Sequence, residues 1–337
     1  MDKMTGKQSI LLDRGVYIIS SASVVGSKEE EGPLRGKFDL VCEDPMMGQE
    51  SWELAESTMQ KKAAQLALEK AGLLPAQIRY IFAGDLLGQL IATSFGLETL
   101  DIPLFGLYGA CSTCGEALSL GAMTICGGYG DYVMALTSSH FASAEKQFRF
   151  PLGYGNQRPL SATWTVTGSG AFILSKKHGS VRISGITTGK IIDYGIKDSM
   201  NMGAAMAPAA CQVIVQNFRD FDREPSDYDK IITGDLGYVG QKILIDLVSR
   251  EGYDIRENHM DCGIEIYDQE TQDTHSGGSG CGCSAVTLAA YILPLLARGI
   301  WKRVLFLPTG ALLSPISFNE GQPVPGIAHG VVLEHVE

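Results

Sequence analysis

The residues best suited to chemistry lie in two turns of small residues. The first is Gly109-Ala110-Cys111-Ser112-Thr113-Cys114-Gly115, which follows the apolar run Pro103–Leu107 and opens a helical pattern reaching about Gly127. A cysteine at a helix start meets unpaired N–H groups and partial positive charge, which lower a thiol pKa and favour a nucleophilic thiolate. The same small residues also serve simply to let a helix pack closely. The second turn is His275-Ser276-Gly277-Gly278-Ser279-Gly280-Cys281-Gly282-Cys283-Ser284-Ala285. Its glycines let the backbone approach a ligand. If the two turns face each other, two helix N-termini converge on a pocket suited to a small anion.

Other candidates surround these turns. Asp85 and Asp235 each stand just after a short apolar strand. There they could hold a cation, order the pocket or cap a helix, and capping is the favoured reading. A nucleophilic cysteine needs a base or stabiliser. His329, in a small-residue turn before the last strand, is the histidine expected within reach, and His275 directly precedes the glycine turn. Arg149 and Arg158 could clamp a carboxylate. Cys111, Cys114, Cys281 and Cys283 invite comparison with a zinc site. Zinc ribbons repeat the Cys-x-x-Cys knuckle, however, and the second pair here is Cys-x-Cys. No metal is expected, and a thioredoxin-like role lacks a supporting motif.

The elements that must position these turns repeat. Leu74–Leu86 holds a proline, a polar turn, a short apolar strand and then Gly84-Asp85-Leu86; Glu224–Leu236 repeats the sequence of features and ends Gly234-Asp235-Leu236, 150 residues later. The turn at Tyr108–Cys114, its helix and a strand at Asp131–Thr137 are echoed by Gly277–Cys283, a helix to about Arg298 and a strand at Arg303–Leu307. Val166–Leu174 is echoed by Ile327–Leu333. Each half alternates strands and helices, and its strands are near-continuous apolar runs, as in α/β proteins whose sheets are covered on both faces. The division falls near Lys176–Ser180, giving halves 1–177 and 178–337. The first half carries an insertion over 140–165, rich in aromatic residues, that reads as a lid, a dimer contact or a surface loop. Ser51–Ala71 reads as a helix with Gly72 as its C-cap.

Bulk properties narrow the function. The chain has 337 residues, 45% hydrophobic and 19% charged, with a formal net charge of −11. That charge argues against nucleic acid or anionic lipid as the main partner, and it requires any anionic ligand to be met by local positive potential. The eight cysteines are spread over a large chain whose first residues, Met1 to Leu12, show no apolar leader, so a reduced, cytosolic setting is expected. No stretch reaches the roughly 18 apolar residues that span a bilayer. The strongest, Val286–Ala297, contains a proline and reads as a buried helix.

The order of these pieces resembles that of the thiolase and ketoacyl synthase superfamily. Gly109-Ala110-Cys111-Ser112 is similar to its nucleophile turn, Gly168-Ser169-Gly170-Ala171 to the glycine motif before the strand that closes the first half, and Gly280–Ala285 to the loop that bears a histidine in thiolases. The resemblance implies a thiolase-like five-layer αβαβα fold of the α/β class, with two duplicated halves, mixed sheets and a homodimeric assembly. It also exposes departures. The thiolase histidine falls on Ser279, and the ketoacyl synthase histidine that follows a second-half strand falls at Thr233-Gly234-Asp235-Leu236. Without these groups, oxyanion stabilisation and the condensing base are missing.

More closely, Ala83–Leu87, Tyr108–Thr113, Pro151–Pro159, Thr274–Cys283 and Pro308–Pro315 resemble the stage V sporulation protein AD family of spore-forming bacteria. This resemblance implies binding of dipicolinic acid, which moves as its calcium chelate into the developing spore. It implies action with stage V sporulation membrane proteins of the same operon, at the inner spore membrane, without a cofactor. The residues expected around the ligand are Cys111, Thr113, Asp85, Ser276, Gly277, Ser279, His329 and Arg149. Two competing readings are an acyl-transferring condensing enzyme, with Cys111 as nucleophile and His329 as its partner, and a scaffold for membrane proteins.

Overall fold

The computed structural model describes residues 4–148, 153 and 155–337. Ten main strands form two series. The first is β1 (Ser9–Gly26), β2 (Tyr80–Asp85), β3 (Leu104–Gly106), β4 (Tyr132–Ser139) and β5 (Gly168–Ser175). The second is β6 (Val181–Thr188), β7 (Lys230–Thr233), β8 (His259–Asp261), β9 (Arg303–Leu307) and β10 (Gly326–His335). They lie side by side in the order β3-β2-β4-β5-β1-β6-β10-β9-β7-β8. Each series is thus the mirror of the other in strand order. In each, two parallel pairings at the outer edge give way to antiparallel ones inward. We propose the turn between Ser175 and Val181 as the joint between the halves.

The two series are continuous because β1 is 18 residues long. Its first part pairs with β6, from Ser9 opposite Thr187 to Ile18 opposite Val181, and its later part pairs with β5, from Tyr17 opposite Ser175 to Val25 opposite Gly168. The register shifts between Leu11 and Val16 on the β6 side and between Ile18 and Ser20 on the β5 side. Such irregularities increase local twist and let a strand bend between two sheets.

Helices make the remaining layers. α1 (Trp52–Ala71) covers the outer face of the first series against β1, β4 and β5. Ser51 caps it by accepting the Leu54 N–H, and Gly72, at φ +64°, ends it in the left-handed conformation. Ala55, Ala63, Ala64 and Ala67 are fully buried, so the helix lies close to the sheet. α2 (Thr113–Gly127) is sandwiched in the middle, touching β2 and β4 of the first series and β10 of the second. α3 (Phe141–Phe148) and α4 (Met202–Phe221) follow, with α4 on the outer face of the second series against β10 and packed on α5 (Gly237–Arg250). α6 (Cys281–Thr287) shares the middle layer and packs on β1, β4 and β5. This is the five-layer arrangement expected. The helix expected over Val286–Ala297 is interrupted: a π turn at Leu288–Ile292 separates α6 from a last helical segment, Leu293–Ala297, that holds Pro294. A proline removes one N–H from the helical ladder, and a widened turn absorbs the fault.

Among the described residues, three large apolar clusters fill the interfaces between layers, the largest around α2 and α6, and a small fourth holds Leu86, Cys111, Ala144 and Cys281. Side chains such as Leu118, Ile173, Phe306 and Val331 are essentially inaccessible there. Each contributes about 2 kcal/mol of transfer free energy.

Candidate active-site pocket

Cys111 stands two residues before α2, on a sharp turn. Ala110 has φ +51°, a left-handed conformation rare for a residue with a side chain. Local bonds hold it: the Thr113 hydroxyl donates to the Ala110 carbonyl (2.7 Å) and accepts from the Gly109 N–H (3.0 Å), and the Ser112 hydroxyl donates to the Gly109 carbonyl (2.7 Å). The second half clamps this turn through Gly310, where a Cβ would stand 2.3 Å from the Gly109 carbonyl oxygen. Only glycine allows that approach.

The turn opens on a pocket of about 620 Å³, open mouth included. Leu86, Tyr108, Ala110 and Cys111 come from the first half's strand ends and nucleophile turn. Ala144, Glu145 and Phe148 come from α3, and Ala162, Thr163 and Thr165 from the segment beyond it. Ser199, Met200, Met202, Ser279, Ala311 and Leu313 come from the second half. The 140–165 insertion therefore helps to form the site. It is tied to the glycine turn by a short parallel pairing of Trp164–Thr165 with Gly278–Ser279 and by an Arg158–Asp273 ion pair (2.7 Å).

Behind Cys111 lies Asp235. Its carboxylate accepts from the Gly280 N–H (2.9 Å) and the Thr309 hydroxyl (2.9 Å). Asp235 is 1% exposed, and burial pushes its pKa up to about 7. For Cys111, burial is the largest influence and the adjacent Asp235 charge the next; both push the thiol well above its ordinary value, while the Gly280 amide pulls weakly the other way. The expectation of a lowered, thiolate-forming Cys111 is not supported: loss of solvent and a neighbouring acid both push the thiol up. Tyr108, on the pocket wall, is raised to about 12, mainly by burial.

The other candidates are dispersed. Ser279 lines the pocket. Thr113 is fully buried and spent on the turn. Ser276 accepts the Val239 N–H (3.2 Å) near the start of α5, and Gly277, at φ +112°, offers its carbonyl to Trp164. These three position backbone and are absent from the pocket lining. His329 faces Gly189, whose N–H donates to its Nδ1 (3.4 Å); burial lowers its pKa to about 4, and it too stands outside the lining. Its expected partnership with Cys111 does not form. Arg149 lies outside the described residues.

Asp85 belongs to a second cavity, lined also by Glu53, Glu56 and Gln147. It accepts from the Thr93 N–H (3.0 Å), the Thr93 hydroxyl (2.7 Å) and the Leu87 N–H (3.0 Å), so it orders the segment after β2. Glu56 on α1 accepts from Ser138 (2.7 Å) and from Ser143 of α3 (3.1 Å). Burial first, and the Asp85 charge second, raise its pKa to about 8. Glu56 was not foreseen. A signal existed for Glu56, since it and Gln60 are polar residues four apart on the buried face of α1.

Among the described residues no set of three His, Cys, Asp or Glu could hold a metal ion, and no helix is long and apolar enough to cross a membrane.

Comparison with solved structures places the fold. The chain superposes on 3-oxoacyl-[acyl-carrier-protein] synthase III of Aquifex aeolicus with a TM-score of 0.56 at 12% identity, covering 95% of this chain and all of that one. A tetronic acid condensing enzyme gives 0.60 at 16% identity, with 94% and 99% covered. OleA of Xanthomonas campestris with bound cerulenin gives 0.56 at 13%, with 98% of each covered. At these identities the likeness is one of fold. Sequence relationship is far closer to stage V sporulation protein AD of Bacillus subtilis, 42% identical over 332 residues and 98% of both chains. The family model of stage V sporulation protein AD matches residues 6–334. The chain therefore belongs to the stage V sporulation protein AD family, a sporulation family built on the thiolase-like fold.

Proposed function

We propose that the chain binds dipicolinic acid in the Cys111 pocket, without catalysing condensation, and supports its uptake into the developing spore. What supports the reading is the sequence resemblance that sets Ser279, on the pocket wall, and Asp235 where the superfamily's histidines are expected, around a thiol that burial pushes well above its ordinary pKa. Such a pocket retains its shape and loses the groups a condensing enzyme needs. Leu86, Phe148, Met200, Met202 and Leu313 suit the faces of a flat aromatic ring, and Tyr108, Thr163, Thr165, Ser199 and Ser279 offer hydroxyls for its two carboxylates.

In this reading the protein acts in the forespore, beside the inner membrane, through stage V membrane proteins of the same operon. It works as a homodimer. Among the described residues the edge strand β3 pairs only with β2, and its Phe105 is 51% exposed, so this edge suits a second copy. Isothermal titration with dipicolinate tests the binding, with benzoate as control; equal heats from both overturn it. The condensing-enzyme alternative, favoured only by the place of Cys111, predicts an acyl adduct on that residue after incubation with acyl-coenzyme A, read by intact mass.

A further inference from the structure

His275 is absent from the pocket lining, yet both nitrogens of its ring are engaged. Nδ1 lies 2.9 Å from the Pro159 carbonyl oxygen, and Nε2 lies 3.1 Å from a carboxylate oxygen of Asp273. A carbonyl oxygen only accepts. So does the Asp273 carboxylate, whose other oxygen accepts from the Arg158 guanidinium (2.7 Å), itself also bonded to the Asp273 carbonyl (3.1 Å). A neutral imidazole has one N–H and satisfies one of its two partners. The imidazolium has two and satisfies both.

Among the described residues Asp273 is the charged group in ion-pair contact with His275. Arg158, from the insertion, faces Asp273 from the other side, and the charge of Lys28 reaches it too. Both cations lie against the Trp164 ring, at 4.9 and 4.5 Å from its centroid. Glu29 and Glu31 act on Lys28, and Glu29 is turned to the Tyr267 hydroxyl. Asp268, earlier in the same loop, is occupied by the Glu270 and Thr271 N–H groups and the Thr271 hydroxyl. The loop is also strained: Asp273 (φ +51°) and His275 (φ +53°) are both left-handed without being glycine.

These contacts sit where the insertion runs beside the glycine turn. The Ser276 N–H donates to the Ala162 carbonyl (2.9 Å), the Trp164 N–H to the Gly277 carbonyl (2.8 Å) and the Val166 N–H to the Ser279 carbonyl (2.8 Å). This pairing presents Thr163, Thr165 and Ser279 to the pocket. We propose that His275 is a proton-operated latch on this wall of the pocket. As imidazolium it ties Pro159 of the insertion to Asp273 of the glycine turn. When it gives one proton to solvent, one of its two contacts becomes a lone pair facing a lone pair, and the wall loosens. Histidines change charge between about pH 5 and pH 8, so the latch is closed toward the acid end of that window and released toward the alkaline end. The inference concerns the wall itself and stands apart from which ligand the pocket takes.

The test is hydrogen–deuterium exchange of the full chain, without ligand, at about pH 6 and about pH 8.5. Each rate is divided by the intrinsic rate at its pH and compared with the amides of β10, which removes any change in global stability. Protection of the Trp164 and Val166 amides is expected to be roughly fivefold lower at the higher pH, the scale of one partly exposed charged contact. Long-range nitrogen–proton NMR of the histidine rings, with the His275 signals identified by their loss in His275→Gln, should show both of its nitrogens protonated at about pH 6. In His275→Gln, whose amide does not titrate, the relative protection should no longer depend on pH. Asp273→Asn suits the left-handed backbone and offers an amide that can turn to donate to a neutral ring. It should also remove the dependence, which keeps the idea testable if the first variant folds poorly. A neutral His275 ring at about pH 6, equal protection at both pH values in the unaltered chain, or a loss that persists undiminished in a folded His275→Gln overturns the inference. None of these outcomes bears on dipicolinate binding, which the separate titration decides.

Discussion

The buried Asp235 carboxylate accepts the Gly280 N–H (2.9 Å), directly before the helix that opens at Cys281, and its charge is the second-largest influence raising the pKa of the Cys111 thiol. An acid beside a buried thiol resists thiolate formation.

Reactivity of Cys111 should respond to that acid. Asp235→Asn removes the second-largest influence raising the thiol pKa, while burial, the largest, remains. Alkylation of Cys111 by iodoacetamide at neutral pH, followed by peptide mass, is expected to be slow in the unaltered chain and roughly tenfold faster in the variant, about one pKa unit of relief. Equal rates would show that Asp235 does not govern the thiol.

Glu56 should give the protein a measurable pH dependence of stability. Its folded pKa is raised to about 8 from 4.5, so the native state holds a proton that the unfolded chain releases. The associated stability is fully present below about pH 4.5 and is lost as pH rises through 8, a change on the order of a few kcal/mol. Thermal melts across that window are expected to show the loss, and Glu56→Gln, which cannot ionise, should flatten it. An unchanged slope in the variant would assign the dependence elsewhere.

Gly310→Ala should damage the site from a distance. The added Cβ meets the Gly109 carbonyl oxygen at 2.3 Å, a backbone atom that cannot swing aside. Overpacking of this kind costs about 1–3 kcal/mol. A lowered melting temperature together with weaker dipicolinate binding is expected; a silent substitution would mean the turn shifts without consequence.

Phe105→Arg tests the assembly. Phe105 stacks on Phe82 (5.2 Å between ring centroids) yet remains half exposed on the edge strand. Light scattering should find a dimer for the unaltered chain and a monomer for the variant. A monomer in both cases would remove the edge strand from consideration.

The fold was legible because its signals are long-range and repeated. Gly84-Asp85-Leu86 and Gly234-Asp235-Leu236 mark equivalent strand ends, and strands such as Arg303–Leu307 stand out as apolar runs bounded by polar residues. The pocket was legible only in outline. Cys111 and Ser279 line it, but Thr113, Ser276 and Gly277 spend their polar atoms on backbone, a distinction that spacing alone does not carry. His329 was misread because strand β10 turns its ring toward Gly189, and the period of a strand says which face without saying what occupies it. Asp235 was placed near the pocket and read as a helix cap; its bonds to the Gly280 N–H and the Thr309 hydroxyl join residues far apart in sequence, which spacing does not reveal.

The length of β1 has a consequence for how the molecule is made. Its first residues, Ser9 to Leu11, find their neighbours at Gly185–Thr187, on a strand that leaves the ribosome about 175 residues later. The earliest part of the chain must therefore wait, one edge unpaired, until more than half of the protein has been synthesised. At the usual pace of translation that is a delay of roughly ten to thirty seconds. The N-terminal segment is where a nascent-chain chaperone would have most to protect.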